Sequence, residues 1–487
     1  MFNSILTVLF ALSTSVAFYI VFTIAKMKFR YFRLKNQLPF APTESNAILS
    51  FFAGNGAQIL NDPVVFAKWK KSLKTDIFGY NLGFTPTVAV FDKEFTTLIG
   101  TSKHTIEFEK TETLRHLLRF LSSGIILQEG STHAQIRKEL LPVFNMSNIE
   151  KMYPEFLKGT KKFISKLKRV DPHNYQIVND LQSATLDIIS KVAFDYDMNS
   201  LDGESKVSKA FESLLIVVEF DVFMLLELAF PLFPKVFECV KFETKKNIKI
   251  VQDCIHDVIK KRLNDTTEKD DLLAKCLLAT KHSSDKDKLE DLGHQLTTFM
   301  AAGHETTSSA LSWVLYELAK HPEMQSKLRR EIIATCGKQD PTWDQITSMP
   351  YLDMVCHEIL RLYTPVSMIL RQNTKPFTFK GIYYPAGTNF TIPIQDKHLD
   401  PDLFENPHAF IPERWETLKI DSFISLPFWT GARGCIGKNL AIAEFKTILA
   451  VLLQSVAFDL NGLNVDPFRV IRITQKPKQL SVNLTFE

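Results

Sequence analysis

A long apolar stretch opens the chain. Residues 1–25 contain no charged side chain and are rich in Leu, Ile, Val and Phe. As a helix they would extend about 37 Å, enough to cross a hydrocarbon layer of about 30 Å. We therefore predict a transmembrane anchor at 1–25. A cleaved signal peptide is the alternative, but here the positive charges follow the apolar run, whereas in a signal peptide they precede it.

The segment 26–35 is strongly basic and carries no acidic side chain. Its positive charges favour a cytosolic position for this segment. The N-terminus would then lie on the opposite side of the membrane. Pro39 and Pro42 then interrupt the helical pattern. We interpret residues 26–45 as a hinge and residues 46–487 as a globular domain. The five basic side chains are Lys26, Lys28, Arg30, Arg33 and Lys35.

The interior has a mainly helical pattern. Its longest periodic segment runs from about Leu289 to Lys320 and ends at His321-Pro322. This exceeds an average helix of about 11–12 residues, so we predict that it crosses the whole domain. No linker, low-complexity tract or internal repeat divides the interior, which favours one large, mainly α-helical domain.

Two other segments differ from this pattern. The run Ile382–Tyr384 and the Pro385-Ala-Gly387 turn after it predict part of a small sheet. Residues 211–237 form the most apolar stretch of the interior, and buried core is the default interpretation. Two prolines and several Phe without clean periodicity favour instead a loop that dips into the bilayer.

Composition and charge narrow the function classes. The 487 residues are 45% hydrophobic and carry a formal net charge of +4. Subtracting the five charges of 26–35 leaves −1 for residues 36–487, so the basic balance belongs to the membrane flank and gives no indication of nucleic-acid binding. The six cysteines are scattered without a CxxC pair, which indicates a reducing compartment. They are Cys239, Cys254, Cys276, Cys336, Cys356 and Cys435.

Cys435 lies in the string FWTGARGCIG, residues 428–437. Two glycines allow a tight loop in which the backbone can approach a flat ligand. An apolar, helix-forming run follows, so the sulfur is predicted at a helix N-terminus, where backbone N–H groups favour a thiolate. Arg433 is placed to meet an anionic group on the same ligand. A buried structural cysteine is the alternative.

This string resembles the haem-ligand loop of the cytochrome P-450 superfamily, with Phe428, Gly431, Arg433, Cys435 and Gly437 at the defining positions. The resemblance implies that Cys435 is the proximal metal ligand of haem b (iron protoporphyrin IX), and that the other loop residues bind the cofactor. A thiolate that pushes electron density onto haem iron favours O–O cleavage.

The centre of the long helix is similar to the oxygen-binding stretch of the same family, here Ala302-Gly303-His304-Glu305-Thr306. Gly303 would leave room for a flat ring beside Ala302. The resemblance implies that the Thr306 hydroxyl holds a water or the oxygen ligand and that Glu305 relays protons. The alternative is that Ser and Thr merely bond back to the helix backbone. His304 occupies a variable position and is not expected to be a ligand.

Three further charged residues resemble the Glu/Arg/Arg cluster of the family. Glu358 and Arg361 lie three apart on a predicted helix and can form a charge-assisted pair. Arg414 in the string FIPERW matches the third member. Most such pairs are solvated surface bridges, but the apolar neighbours indicate a buried helix. The implied role of this cluster is structural.

The remaining cofactor contacts are also implied by the resemblance. Arg371, ten residues after Arg361, would contact a haem propionate. The segment 129–140 resembles the family's Trp-x-x-x-Arg on the propionate side, with His133 in place of Trp and Arg137 as the Arg. Both rings carry an N–H that can reach a propionate, so the role can survive the substitution.

The resemblance implies a mainly helical cytochrome P-450 fold with a small β-rich lobe, preceded by the transmembrane helix. The implied activity is monooxygenation of a lipophilic substrate with O2 and NADPH, at the endoplasmic reticulum membrane with a cytosolic catalytic domain. Electrons would come from a separate NADPH–cytochrome P-450 reductase, with cytochrome b5 as a second partner. Two alternatives stay open: an isomerase or dehydratase of this fold that does not use O2, and a non-catalytic haem protein that binds apolar ligands.

Overall fold

The structure is a computed structural model of the 487-residue chain. It describes residues 18, 21–23, 25–43, 54–83, 85–101, 107–121, 123–203, 205–216, 242–267, 269, 271–279, 285–418, 425–460, 469–471, 474–477 and 479–486. Most of the predicted anchor 1–25, and most of the apolar segment 211–237, lie outside these residues. Among the helices that are described, none combines the length and apolar character needed to span a bilayer.

The helices are numbered in chain order. Before the first of them, residues 25–35 are helical, and we call them the basic helix. The others are α1 (Gly56–Asn61), α2 (Val65–Leu73), α3 (Lys93–Gly100), α4 (Glu112–Leu117), α5 (Gly130–Leu140), α6 (Met146–Leu167), α7 (Val178–Phe194), α8 (Lys206–Ile216), α9 (Phe242–Asn264), α10 (Leu272–Ala279), α11 (Asp285–Lys320), α12 (Pro322–Cys336), α13 (Trp343–Ser348), α14 (Pro350–Leu362), α15 (Ile394–His398) and α16 (Lys438–Ser455).

The strands are short. They are β1 (Ile77–Leu82), β2 (Thr85–Val90), β3 (Phe108–Glu109), β4 (Tyr175–Gln176), β5 (Ile369–Asn373), β6 (Phe377–Phe379), β7 (Ile382–Tyr384), β8 (Asn389–Ile392), β9 (Val456–Asp459), β10 (Arg469–Ile471), β11 (Gln475–Pro477) and β12 (Ser481–Phe486). The predicted strand at Ile382–Tyr384 is confirmed, and the helical character of the interior is confirmed as well.

One compact unit contains the described residues up to Leu117 and the segment Met368–Lys397. Its sheet has the order β1-β2-β8-β5-β3, with β2 and β8 parallel and the other neighbours antiparallel. Aromatic side chains fill the layer between this sheet and α2, where the ring of Phe66 meets those of Trp69 and Tyr80 edge-on. A second hairpin, β6-β7, packs its rings onto the buried Phe95 of α3.

The other compact unit holds the described residues of 118–218, 243–367 and 398–487. Its main element is α11, which spans 36 residues, ends at Lys320 as the sequence predicts, and begins four residues before the predicted Leu289. A new helix, α12, begins directly after it. Pro322 fits the first position of α12, because no backbone N–H is needed there. Helices α7, α16 and α14 pack on α11. The small sheets of this unit are β4-β12-β9 and β10-β11.

Two glycines allow helix α7 to approach its neighbours closely. A Cβ on Gly159 of α6 would lie 2.4 Å from the side chain of Ile188, and one on Gly303 of α11 would lie 2.6 Å from that of Ile189. Real Cβ atoms do not approach so closely, because such contacts overlap the packed core. Helix α7 is therefore held between α6 and α11 at distances that only glycine permits.

The single domain predicted for 46–487 thus takes the form of two compact units. The chain enters the first unit, builds the second, and returns to the first through Met368–Lys397. No linker marks the return at Met368, because β5 pairs directly with β3 and β8 with β2 inside the first unit. Composition alone carries no signal for a boundary of this kind.

Candidate active site

Helix α11 exposes one small patch. Between Gln295 and Ala319 every residue of this helix is buried except Ala302, Gly303 and Thr306. Positions 302, 303 and 306 lie on one helix face, a turn apart. Small side chains at an accessible site on an otherwise buried helix make room for a flat ligand. Gly303 has a second reason to be glycine, namely its contact with Ile189 of α7.

The hydroxyl of Thr306 donates a hydrogen bond to the carbonyl oxygen of Ala302, at 2.8 Å. This is the back-bonded arrangement of the alternative interpretation. The bond uses the single hydroxyl proton, and both oxygen lone pairs stay available. In this rotamer, the Thr306 hydroxyl oxygen can accept a hydrogen bond from a group at the patch. It can donate to a ligand only when it rotates away from Ala302.

Glu305 is held in a buried polar network. Its carboxylate accepts hydrogen bonds from Gln182 at 3.0 Å and from Thr474 at 2.9 Å. The Lys476 ammonium lies 3.6 Å away, and the carboxylate is about 1% exposed. Burial raises the pKa of Glu305, but the charge of Lys476 and the hydrogen bonds outweigh it, so the pKa lies below its ordinary value. The carboxylate is therefore ionised and has no direct path to solvent.

His304, between these residues, is fully buried. Its Nδ1 lies 2.7 Å from the carbonyl oxygen of Met300, and its ring packs on that of Phe211. Burial lowers the pKa of His304 below its ordinary value, so the ring is neutral. This agrees with its expected role as a residue that does not bind the cofactor.

The Cys435 thiol lies in the loop that precedes α16. The loop turns at Gly431 and is closed by a hydrogen bond from the N–H of Cys435 to the carbonyl oxygen of Phe428, at 2.8 Å. Gly437 is the N-cap of α16, so Cys435 lies just outside the helix N-terminus. The side chain is accessible although protein atoms surround it densely.

The charge state of Cys435 differs from the sequence-based expectation. Burial raises the pKa of this thiol, and the Gly437 N–H and the nearby charges of Arg137 and Lys438 lower it. Burial has the larger effect, so the net shift is upward and the helix N-terminus alone does not produce a thiolate. A bound metal cation deprotonates a coordinating thiol outright. The predicted thiolate therefore depends on the metal.

Arg137 and His133 lie on α5 in the same unit. Burial lowers the pKa of the half-buried Arg137, and the proximity of Cys435 acts in the opposite direction. Within the described residues Arg137 has no carboxylate partner, so its guanidinium suits an anionic group of a ligand. His133 is buried, one turn earlier on α5.

Arg433 already has an anionic partner within the chain. Its guanidinium forms an ion pair with Glu129 and donates to the carbonyl oxygen of Gln128, at 2.7 Å. No local pattern near Arg433 points to Glu129, which lies 304 positions away and directly before α5. A propionate at Arg433 would therefore share the guanidinium with this carboxylate or displace it.

Arg371 belongs to the first unit. It lies on β5, is buried, and donates to the carbonyl oxygen of Leu370 at 2.8 Å.

The three members of the charged cluster lie together. Arg361 donates two parallel hydrogen bonds to Glu358, at 2.8 and 2.9 Å, and Arg414 donates a third at 3.0 Å. Trp415, which the sequence analysis did not consider, donates its ring N–H to the same carboxylate at 3.0 Å. Glu358 and Arg361 are fully buried. Arg361 also binds the carbonyl oxygens of His398, Pro407 and Ala409, which fixes the chain after α15 onto α14.

These features of the second unit fit a haem with a thiolate ligand. The accessible thiol of Cys435 would supply a sulfur ligand for the haem iron, and the small-residue patch on α11 leaves space for a flat ring. Arg137 supplies a cation that has no carboxylate partner in the part of the chain that the structure describes. No cluster of three or more His, Cys, Asp or Glu that could hold a bare metal ion occurs in the described parts of the chain.

The fold and this site are those of a haem-thiolate oxygenase, and the chain belongs to the cytochrome P450 family, whose model matches residues 49–484. Cytochrome P450 3A29 from Sus scrofa is 32% identical over 69% of this chain and 70% of its own length. Cytochrome P450 3A5 from Homo sapiens is 31% identical over 70% of each chain. Cytochrome P450 4e5, mitochondrial, from Drosophila mettleri is 28% identical over 83% of this chain and 81% of its own length. The chain is a monooxygenase of the oxidoreductase class, and the resemblance seen in its motifs is confirmed.

Proposed function

We propose that the enzyme inserts one atom of O2 into a lipophilic substrate, with electrons from NADPH delivered by a separate reductase. The observation that carries this proposal is the presence, in one compact unit, of the accessible Cys435 thiol and the accessible patch at Ala302, Gly303 and Thr306. Haem bound there through a thiolate supplies the activation of dioxygen. The chain's own residues then supply binding, orientation and protons.

Cys435 would be the axial ligand, and Phe428 and Gly437 would shape the loop around it. Arg137, His133, Arg433 and Arg371 would bind the propionates. For Arg137 the support is its guanidinium, which lacks a carboxylate partner among the described residues. Arg433 could bind a propionate only if its guanidinium also kept its ion pair with Glu129.

Thr306 would position a proton at the substrate side of α11. In this role its hydroxyl leaves Ala302 and donates toward the ligand, or keeps that bond and accepts from a water. Glu305 would act through the electrostatic potential of an ionised carboxylate near the patch. A proton relay through Glu305 itself needs the network around Gln182, Thr474 and Lys476 to open, because every described contact of the carboxylate is internal.

The wider organisation is proposed from the sequence. Residues 1–25 would anchor the enzyme in the endoplasmic reticulum membrane, residues 26–45 would form the hinge, and residues 46–487 would form the cytosolic haem domain. NADPH–cytochrome P-450 reductase would be the electron donor, with cytochrome b5 as an additional partner. The apolar segment 211–237 would be a second contact with the bilayer.

The axial ligand is tested by spectroscopy. Reduced, carbon-monoxide-bound wild type should absorb at the wavelength typical of thiolate ligation, well to the red of His-ligated haem. Cys435→Ala should lose that band, and Cys356→Ala, at a buried cysteine of α14, should keep it. Retention of the thiolate spectrum by Cys435→Ala would exclude this assignment.

The reaction type needs a separate assay. With reductase, NADPH and a lipid library, a substrate that shifts the haem Soret band should yield a product that carries one atom from ¹⁸O2. Conversion without NADPH or O2 would instead identify an isomerase or dehydratase. Binding with no conversion under any of these conditions would identify a non-catalytic haem protein.

A further inference from the structure

A pocket of about 730 Å³ lies in the first compact unit, apart from every residue considered above for haem. One wall is the basic helix, which contributes Lys26, Met27, Arg30 and Leu34 at helical spacing, and Phe22 lines the pocket just before this helix. The other walls are the start of β2, helix α4 and the turn that leads into β8. Its volume falls in the range of small-molecule sites, about 300–1,000 Å³.

Positive charge dominates this pocket. Lys26, Arg30 and Arg115 line it, and Glu112 is the one carboxylate among the lining side chains that are described. Arg115 is also 3.8 Å from Glu109, a long ion pair with both side chains partly exposed. The charge of the lining therefore favours an anionic ligand.

Arg30 is the best-defined of these cations. It is half-buried, and its guanidinium donates to the carbonyl oxygens of Gly387 at 3.1 Å and Ala386 at 3.3 Å. Within the described residues no carboxylate pairs with it. A Cβ on Gly387 would lie 2.6 Å from the guanidinium, so glycine in this turn provides the space for Arg30. The guanidinium is thus held in place by neutral groups, and it can still bind an oxyanion.

The remaining lining is apolar or neutral. Phe22, Met27, Leu34 and Pro86 contribute apolar surface, and Phe22 is 59% exposed at the outer end of the helical segment. A ligand that used the whole pocket would need an anionic head near Lys26 and Arg30 and a hydrocarbon part along Phe22 and Met27. That is the chemistry of an amphiphile, not of a free inorganic anion.

We propose that this pocket binds the phosphate headgroup of an anionic membrane phospholipid. The choice of a phospholipid over a free fatty acid rests on the anchor proposed above, since the pocket wall directly follows residues 1–25 and would lie at headgroup depth. Basic segments next to a membrane are attracted to anionic lipids in any case. The pocket adds a specific binding site for one headgroup, formed by the Lys26 and Arg30 side chains on one face of the basic helix.

The matched pair of variants is Lys26→Gln/Arg30→Gln and Lys28→Gln/Arg33→Gln. Each removes two positive charges from the basic helix, but Lys28 and Arg33 do not line the pocket. The Arg33 guanidinium lies over the ring of Tyr383 instead. A general attraction to negative charge would weaken equally in both variants, whereas a specific site would weaken in the first only.

The measurement is calorimetric titration of the full-length, haem-loaded protein in a non-ionic detergent with dihexanoyl phosphatidic acid. Parallel titrations use inorganic phosphate and laurate. Wild type and Lys28→Gln/Arg33→Gln should bind the phosphatidic acid with similar Kd, and Lys26→Gln/Arg30→Gln should bind it at least about tenfold more weakly. Inorganic phosphate should bind more weakly than the lipid, because it leaves the apolar wall uncovered.

Several outcomes would overturn the proposal: no binding by wild type, an equal loss in both double variants, or inorganic phosphate binding as tightly as the lipid. Laurate that bound as tightly, with the same dependence on Lys26 and Arg30, would assign the pocket to a free fatty acid and exclude the phospholipid. If the first double variant fails to retain the haem spectrum, Lys26→Gln is compared with Lys28→Gln, since both are exposed lysines. A several-fold loss confined to Lys26→Gln is then expected, and equal Kd values would overturn the assignment.

This test is independent of the anchor and of oxygenation. A soluble short-chain lipid reaches the pocket whether or not residues 1–25 span a membrane, and binding is read without turnover. Failure of the anchor would appear instead as release of the full-length protein from membranes, with binding of the short-chain lipid unchanged.

Discussion

The carboxylate of Glu305 and the ammonium group of Lys476 lie 3.6 Å apart, and both side chains are almost completely buried. Glu212 lies at the same distance from Lys476. One buried cation thus serves two carboxylates, on α8 and α11, and links both helices to β11.

We expect Lys476→Met to destabilise the haem-loaded protein by about 3–5 kcal/mol, because it leaves the Glu305 charge buried without its partner. Thermal unfolding followed at the Soret band measures this. Glu305→Gln/Lys476→Met should recover part of the loss, since no buried charge then remains at this position. If Lys476→Met were as stable as wild type, the ion pair would contribute nothing to the fold.

Glu358→Ala should fail to hold haem. It removes the acceptor of hydrogen bonds from Arg361, Arg414 and Trp415, and it leaves the fully buried Arg361 without its carboxylate. The expected cost is again about 3–5 kcal/mol. Haem content per polypeptide measures the effect. Glu331→Ala is the control, because its carboxylate caps the start of α14 through the N–H groups of Tyr351 and Leu352. Soluble, fully loaded but slow Glu358→Ala enzyme would contradict a structural role.

Thr306→Ala should keep substrate affinity and lose product. Its hydroxyl is the polar side-chain group of the accessible patch on α11, and proton positioning typically contributes about 10²–10⁴-fold. NADPH oxidation should continue while hydrogen peroxide per NADPH rises and product per NADPH falls. Thr297→Ala is the matched control, since Thr297 bonds back to Gly293 at 2.8 Å in the same helix but is buried away from the patch. Unchanged product per NADPH in Thr306→Ala would show that protons arrive by another route.

Asp396 should make the stability of the protein depend on pH. Burial raises the pKa of this carboxyl group to about 8, and the nearby Asp62 acts in the same direction. In the unfolded chain its pKa is about 4, so between about pH 4 and 8 the folded protein holds a proton that the unfolded chain has released. The stabilisation of the folded protein by protonated Asp396 is therefore fully present below about pH 4 and is lost as the pH rises to about 8.

The variant that tests this is Asp396→Asn, which mimics the protonated form and keeps an acceptor for the N–H of Ala67, now bonded at 2.8 Å. The Tm of wild type should fall relative to that of Asp396→Asn as the pH is raised from 5.5 to 8. Asp344→Asn, at an exposed position, should run parallel to wild type. Parallel curves for all three proteins would mean that Asp396 is already ionised at pH 5.5.

The parts of the fold that were predictable are those with a local signal. The long helix is a periodic pattern closed by His321-Pro322, and its end at Lys320 follows directly. Glu358 and Arg361 are three residues apart, so their pairing needs only a helix. The loop around Cys435 is a contiguous string. In each case the information lies within a few residues of the position concerned.

What could not be predicted depends on contacts between distant parts of the chain. Gln182 and Thr474 reach Glu305 from 123 and 169 positions away, and no pattern near Glu305 points to them. Glu129 and Arg433 are separated in the same way. For Cys435, the helix N-terminus is visible in the sequence, but the burial that outweighs it is a property of the packed fold.

The two glycine contacts of helix α7 have a consequence for redesign of the enzyme. Ile188 and Ile189 are adjacent in sequence, yet each fits against a glycine on a different helix, Gly159 on one side and Gly303 on the other. The helix therefore acts as a spacer of fixed thickness between α6 and α11. A mutant library that aims at new substrates must leave these four positions unchanged or alter them as complementary pairs. An extra methyl group at Gly159 would push α7 away from α6, and one at Gly303 would push α7 away from α11.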